Sequence, residues 1–192
     1  AELPTITISG TAYRVVTQLA DTPTHRSFRV ECGGRSYFLK VFRKEAAATF
    51  DSQMAALAKV RTTSGLVLPS ETGEYNDERF VLRDWIDGES FNAFVHRFRF
   101  NPKHIDDALA IGEQLARGVA QLHAQGVAHG RVKNENVFID EDGDSVVTGP
   151  TGNGDPREDV RQLGLLLCRL YTRKPDLAIN SHTLMELYRA KV

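Results

Sequence analysis

Apolar positions alternate along the first part of the chain and change to helical spacing further on. Residues 13–19 (YRVVTQL) and 27–32 (SFRVEC) are short β-prone runs separated by the breaker-rich ADTPTH. Gly33-Gly34 is a hairpin signal, and 35–42 (RSYFLKVF) resumes the strand beyond it, which predicts a three-strand meander. A helix is predicted over about 44–60, where Phe50, Met54, Leu57 and Val60 recur at helical spacing. Residues 66–68 and 80–85 read as two more strands joined by a polar turn, ETGEYNDE. Beyond Asp87-Gly88, Ser90 can cap a short helix through Phe94. Residues 105–124 predict a long helix with Ile105, Leu109, Leu115, Val119 and Leu122 near one face and Gly126 as its C-cap. Short strands at 137–139 and 146–148 flank the turn 141–144. After GPTGNGDP come helices at 159–171 and about 181–190. Together these elements predict an α+β chain: a β-rich lobe with one helix (1–84) joined to a mainly helical lobe (85–192) as one domain.

The chain is 41% hydrophobic and 26% charged, which suits a packed core and excludes bulk disorder. Its formal net charge is −1 and its 24 basic residues are dispersed, so nucleic acid and anionic membrane are not expected as main partners. The longest apolar stretch, 163–168, contains a glycine and stops at Arg169, far short of the roughly 20 residues a spanning helix needs. AELPTITISGTAY lacks the basic region and apolar core of a signal peptide, so the expected location is the cytoplasm. Ala1 marks the chain as a fragment or as carrying a tag remnant, and a further domain or a membrane segment could follow Val192. Cys32 and Cys168 lack metal-ligand spacing and are expected as two reduced thiols.

Four motifs carry a family resemblance: FLKVF, LRDWIDGESFNAFV, HAQGVAHGRVKNENVFIDEDGD and DVRQLGLLLCRLYTRKPD. In order and at compatible spacing they resemble the third strand, hinge, catalytic loop and buried central helix of protein kinases, in the style of bacterial Ser/Thr kinases. The resemblance implies a two-lobed kinase-like fold with a small N-lobe and a reduced C-lobe. It makes Lys40 the lysine that meets nucleotide phosphates, the alternative being a strand lysine reaching solvent. His129, Lys133, Asn136 and Asp159 match further motif positions, and Asp159 is expected to fasten the catalytic loop from below.

The same resemblance exposes departures. The position of the proton-accepting aspartate is Arg131, which stays protonated and has no acceptor atom. The glutamate that pairs with the lysine aligns with Gln53, with Glu45 as a substitute if the helix is shifted. The metal-binding aspartate aligns with Gly149. The phosphate loop, LADTPTHRSF, has no glycine and contains Pro23, which lacks an N–H. The acidic run Asp140, Glu141, Asp142 and Asp144 belongs to a hairpin turn. Arg83 or, one register away, Leu82 guards the back of the adenine site. These losses fall on one mechanism, so the expectation is a pseudokinase: no enzyme, no cofactor, no metal, no binding of ATP–Mg²⁺, and a protein-binding regulatory role in signalling. The alternative is an atypical minimal kinase or another nucleotide-dependent transferase on this fold. FNAFVHRFRF (91–100) is either an interface or a helix with Phe91, Phe94 and Phe98 inward and His96, Arg97 and Arg99 solvated. The C-terminal SHTLMELYRAKV is a second candidate docking segment.

Overall fold

A computed structural model of the chain describes residues 4–61, 64–98, 104–174 and 176–178. In chain order the strands and helices are β1 (Thr5–Ile8), β2 (Thr11–Asp21), β3 (His25–Cys32), β4 (Arg35–Phe42), α1 (Ala47–Leu57), β5 (Leu66–Val67), β6 (Glu71–Tyr75), β7 (Glu78–Asp84), β8 (Gly88–Ser90), α2 (Phe91–Phe98), α3 (His104–Ala124), β9 (Val137–Asp140), β10 (Ser145–Thr148) and α4 (Pro156–Thr172). The fold is mixed α+β, with a β-rich N-terminal part and a mainly helical remainder.

Six strands form one sheet in the order β1-β2-β3-β4-β7-β6. Alternation gives it two chemically different faces. One face carries Ile8, Val15, Val30, Leu39, Phe80 and Leu82, each almost fully buried. That face closes on itself because the sheet curls, with Ser9 Oγ of the β1–β2 turn donating to Glu71 Oε1 of the opposite edge at 2.6 Å. The other face holds Phe42 against Phe50 of α1, ring centroids 5.3 Å apart, and then opens toward a cleft.

The helical part is built on α3. Ala108, Ile111, Leu115, Val119 and Leu122 make a continuous buried stripe at helical spacing. The stripe packs in one core with Phe91 and Val95 of α2, Leu163, Leu166 and Leu170 of α4, and Val137, Ile139 and Val147 of a small sheet ordered β5-β10-β9-β8. Truncating any of these leucines to alanine would cost about 2–5 kcal/mol. Several contacts among the described residues tie the two parts together. Arg61 N donates to Gln125 Oε1 at 2.8 Å and Ser64 N to Gln121 Oε1 at 2.7 Å. Asn153 Nδ2 donates to Ser52 Oγ at 3.0 Å, and Gly152 lies so close to α1 that a Cβ on it would stand 2.5 Å from Ala56 Cβ.

Several expectations change. Residues 66–68 do not pair with the strand around Phe80; Leu66–Val67 runs parallel to β10 in the lower sheet. The hairpin partner of β7 is β6, inside the predicted turn, and the turn itself is only Asn76-Asp77, both at positive φ. The segment ETGEY hid a strand because it is a polar edge strand with half-buried alternation. The strands Thr5–Ile8 and Gly88–Ser90 were not foreseen, the second being too short to show a period. The last described helix starts at Pro156, capped by Asp155 whose carboxylate accepts from Arg157 N, not at Asp159. Leu109 is 54% exposed, off the buried stripe. In 91–98, Phe91 and Phe94 pack inward and His96 and Arg97 face solvent, the ordinary-helix arrangement. The Phe98 side chain, Arg99, Phe100 and the helix at 181–190 lie outside the described residues.

Candidate functional site

Between the two parts lies a cavity of about 370 Å³. Lys40, Gln53, Arg83, Arg131, Asn136 and Gly149 all line it. Lys40 reaches the cleft because β4 alternates: Leu39 and Val41 go into the closed face, so Phe38, Lys40 and Phe42 point the other way. Its ammonium stands 4.6 Å from the Phe42 ring centroid. Burial first, then Arg131 and then Lys133, lower the Lys40 pKa from 10.5 to about 8, and among the described residues no carboxylate forms an ion pair with it. Gln53 of α1 lines the same space as a neutral amide, and Glu45 is exposed on the turn before α1, outside the lining. His25, at the start of β3, feels the same charges. Burial, then Lys40 and Arg131, bring its pKa to about 4, so it is neutral at physiological pH.

Loop 129–136 is held from beneath. Asp159, 1% exposed, accepts from His129 N at 2.7 Å, Gly130 N at 2.8 Å and His123 Nε2 at 2.9 Å. His129 is fully buried, and its Nδ1 accepts from Arg131 N at 3.1 Å. Burial pushes its pKa down to about 4 against the pull of Asp159, so it is a neutral packing residue. Asn134 is tied from two sides, donating to Asn92 Oδ1 and accepting from Arg169. Asn136 Nδ2 donates to the Arg131 carbonyl at 2.8 Å, so its amide braces the loop. Arg131 itself is exposed at the cleft. Lys133 stands 3.7 Å from Glu135.

The turn opposite this loop is tightly consumed. Thr22 N donates to His25 O at 2.9 Å, and Thr24 N and His25 N both donate to Thr22 Oγ1. Pro23 has no N–H, so every backbone nitrogen from 22 to 25 is spent or missing. Arg43 clamps the turn by donating from Nε to Thr22 O at 2.9 Å. A row of free amides that could wrap a phosphate is not what these residues build.

Acidic donors are sparse on the other side of the cleft as well. Gly149 has φ +68° and offers no ligand, and a Cβ there would sit 3.6 Å from Asn136 Oδ1. Among the described residues no group of three His, Cys, Asp or Glu side chains is placed to hold a metal. The acidic turn after β9 is engaged locally, with Asp140 Oδ1 accepting from Asp142 N and Asp144 N. At the far end of the cavity Arg83 points inward; it is Leu82 that enters the closed core. The Arg83 guanidinium lies 4.2 Å from the Phe38 ring centroid and donates to the Asp84 carbonyl at 3.0 Å. It is only 9% exposed, and burial lowers its pKa while leaving it charged.

This cleft, with a lysine on β4 of the large sheet facing a His-X-X-X-Lys loop, has known counterparts. The model of a family described as "Phosphotransferase enzyme family" matches residues 15–136. The chain belongs to the phosphotransferase enzyme family. Its fold is that of protein kinases. The crystallised PknI kinase domain of Mycobacterium tuberculosis superposes with a TM-score of 0.67 at 20% identity, over 92% of this chain and 79% of that one. Among curated proteins, the serine/threonine-protein kinase PknL of Mycobacterium bovis is 25% identical over 85% of this chain and 46% of its own length. The serine/threonine-protein kinase PrkC of Bacillus subtilis is 24% identical over 62% of this chain and 17% of its own. The chain therefore spans less than half the length of these curated relatives.

Family membership overturns one expectation. Read position by position, the chain was taken for no enzyme; the match to a phosphotransferase enzyme family and to Ser/Thr kinases contradicts that. The physical reason is that a catalytic constellation is more than its individual side chains. Sites stripped of single groups keep catalysis from binding and positioning, and here the cleft, Lys40 and the braced loop all persist.

Three residues in or beside this cleft escaped the motif reading. Gly130 has φ +74°, and a Cβ there would stand 2.0 Å from Asn153 O and 2.3 Å from Thr151 Oγ1. Thr151 donates to His129 O from both its backbone N and its Oγ1, so the short segment after β10 presses on the loop. A glycine beside the arginine of HGR was the available signal. The third omission, His25, had none, since its place in the cleft follows from strand register alone.

Proposed function

We propose that this chain is a protein-binding regulatory module on the phosphotransferase scaffold, serving signalling, whose cleft does not engage ATP–Mg²⁺. Its two lobes, 1–84 and 85–192, would work as one unit. The observation that carries the reading is the charge of the cleft. Where the reaction places carboxylates for a proton and a metal, the cavity presents Arg131, Gly149 and an unneutralised Lys40. Support also comes from Arg83, whose guanidinium stands in one end of the cavity over Phe38 and donates to the Asp84 carbonyl. Meanwhile Asp159, Thr151 and Asn153 keep the scaffold latched, which is what a surface presented to a partner requires. No helix among the described residues is long and apolar enough to cross a membrane.

Thermal-shift and calorimetric titrations with ATP, with and without magnesium, test this. No magnesium-dependent shift is expected, and a clear one sinks the reading. A second reading, an atypical transferase, is favoured by family membership and by the open cleft with Lys40 in it. ADP release from ATP that vanishes in Lys40→Met would establish it.

A further inference from the structure

Cations gather in this cleft against the balance of the whole chain. The chain carries a net charge of −1, yet Lys40, Arg83 and Arg131 line one cavity, with Lys133 close enough to act on Lys40. Glu135 is the one carboxylate among the lining residues, and it lies 3.7 Å from Lys133. Like charges held together in a partly dry space repel, and an anion is what relieves them. Arg83 adds a second pole. It is nine-tenths buried and stacked on Phe38, and one hydrogen bond, to Asp84 O, engages one of its five N–H donors. Strand register sets the spacing. Lys40 is paired with Val81 and Phe38 with Arg83, so Lys40 and Arg83 are diagonal neighbours on adjacent strands, roughly 7–8 Å apart at their backbones.

We infer that the cleft is a metal-independent site for a small anion with two acidic ends and no purine. One end would be held by Lys40 and Arg131 and the other by Arg83. Phosphate and carboxylate share the needed chemistry, since a guanidinium takes either through paired N–H donors. Side chains would supply the positive charge that magnesium gives elsewhere in the family. The inference rests on the reading that the cleft does not engage ATP–Mg²⁺, and adds what it takes instead.

The test uses the whole chain in EDTA, with sodium tripolyphosphate as a two-ended probe, orthophosphate as a one-ended probe and adenosine as a purine without charge. Calorimetry should show one tripolyphosphate site, about tenfold or more tighter than orthophosphate, and no heat with adenosine. Arg131→Asp, at an exposed position, should weaken tripolyphosphate at least about tenfold while the circular dichroism spectrum stays unchanged. Arg83→Leu should bring its affinity down to the orthophosphate level. Succinate provides the carboxylate arm; binding by it but not by tripolyphosphate would keep the site and exclude phosphate. The inference is overturned if neither probe binds, or if both variants bind as the parent does, which would mark scattered surface binding. ATP that binds only with magnesium would instead overturn the functional reading, so the two failures are distinguishable.

Discussion

Lys40→Met should make the protein more stable, and the size of the gain follows from the environment of the lysine. Burial beside Arg131 and Lys133 lowers its pKa from 10.5 to about 8. At about 1.4 kcal/mol per tenfold change in proton affinity, holding the ammonium charged in the fold costs at most about 3.5 kcal/mol. Water at the cleft mouth and the Phe42 ring under the ammonium reduce this, so a net gain of about 1–2 kcal/mol is expected at pH 7. Methionine keeps the unbranched stem and most of its packing.

The pH dependence gives the sign. Between about 8 and 10.5 the unfolded chain binds more protons at Lys40 than the folded one, so this group raises stability as pH increases through that window. Below about 8 it is charged in both states and its full penalty is present. Urea denaturation of parent and variant at pH 7 and pH 10 measures both effects. The variant should lead at pH 7 by about 1–2 kcal/mol in extrapolated unfolding free energy and lose most of that lead at pH 10. A variant less stable at pH 7, or a difference that ignores pH, would refute the claim that Lys40 lacks a neutralising partner.

Other perturbations follow from the same geometry. Asp159→Ala removes the acceptor for His129 N, Gly130 N and His123, and should cost about 3–5 kcal/mol in chemical denaturation. Gly130→Ala forces a Cβ against Asn153 O at positive φ; a loss of about 2–3 kcal/mol and faster proteolysis after residue 148 are expected. Arg131→Asp combined with Gly149→Asp should create a cation site beside Asn136. The expected readout is a magnesium- or manganese-dependent thermal shift in the double variant and none in the parent. Asp at φ +68° is tolerated better than most side chains, and a Cβ at 149 meets nothing closer than 3.6 Å.

Much of this arrangement was legible in the chain because its elements are local. The hairpin at Gly33-Gly34, the long helix with Leu115, Val119 and Leu122 on its inner face, and the strand carrying Lys40 each follow from period and turn chemistry, though Leu109 was placed on that face and is exposed. What stayed hidden was set by pairing between distant segments. ETGEY reads as a loop until β7 offers it an edge, and Leu66–Val67 joins the lower sheet only because β10 lies alongside. In the site, Arg83 and Leu82 could not be told apart without register, and one residue of slip would exchange core for cleft. The tie of Thr151 to His129 spans 22 positions and leaves no trace in either segment alone.

The substitutions gain meaning when their charges are counted in one place. In the pattern the chain resembles, the positions of Gln53, Arg131 and Gly149 hold a glutamate and two aspartates, about three negative charges, and two magnesium ions bring about four positive ones. That leaves such a site with about one positive charge beyond its lysine. Here the same three positions hold an amide, a guanidinium and a glycine, which is also one positive charge, and no cation is required to reach it. With respect to that pattern each of the three removes a negative charge, and Arg131 adds a positive one, in a cavity lined by Lys40 beside a braced loop. A cleft with that charge would suit an anion without a metal, so the anion titrations in EDTA separate loss from reassignment more sharply than any assay of phosphoryl transfer.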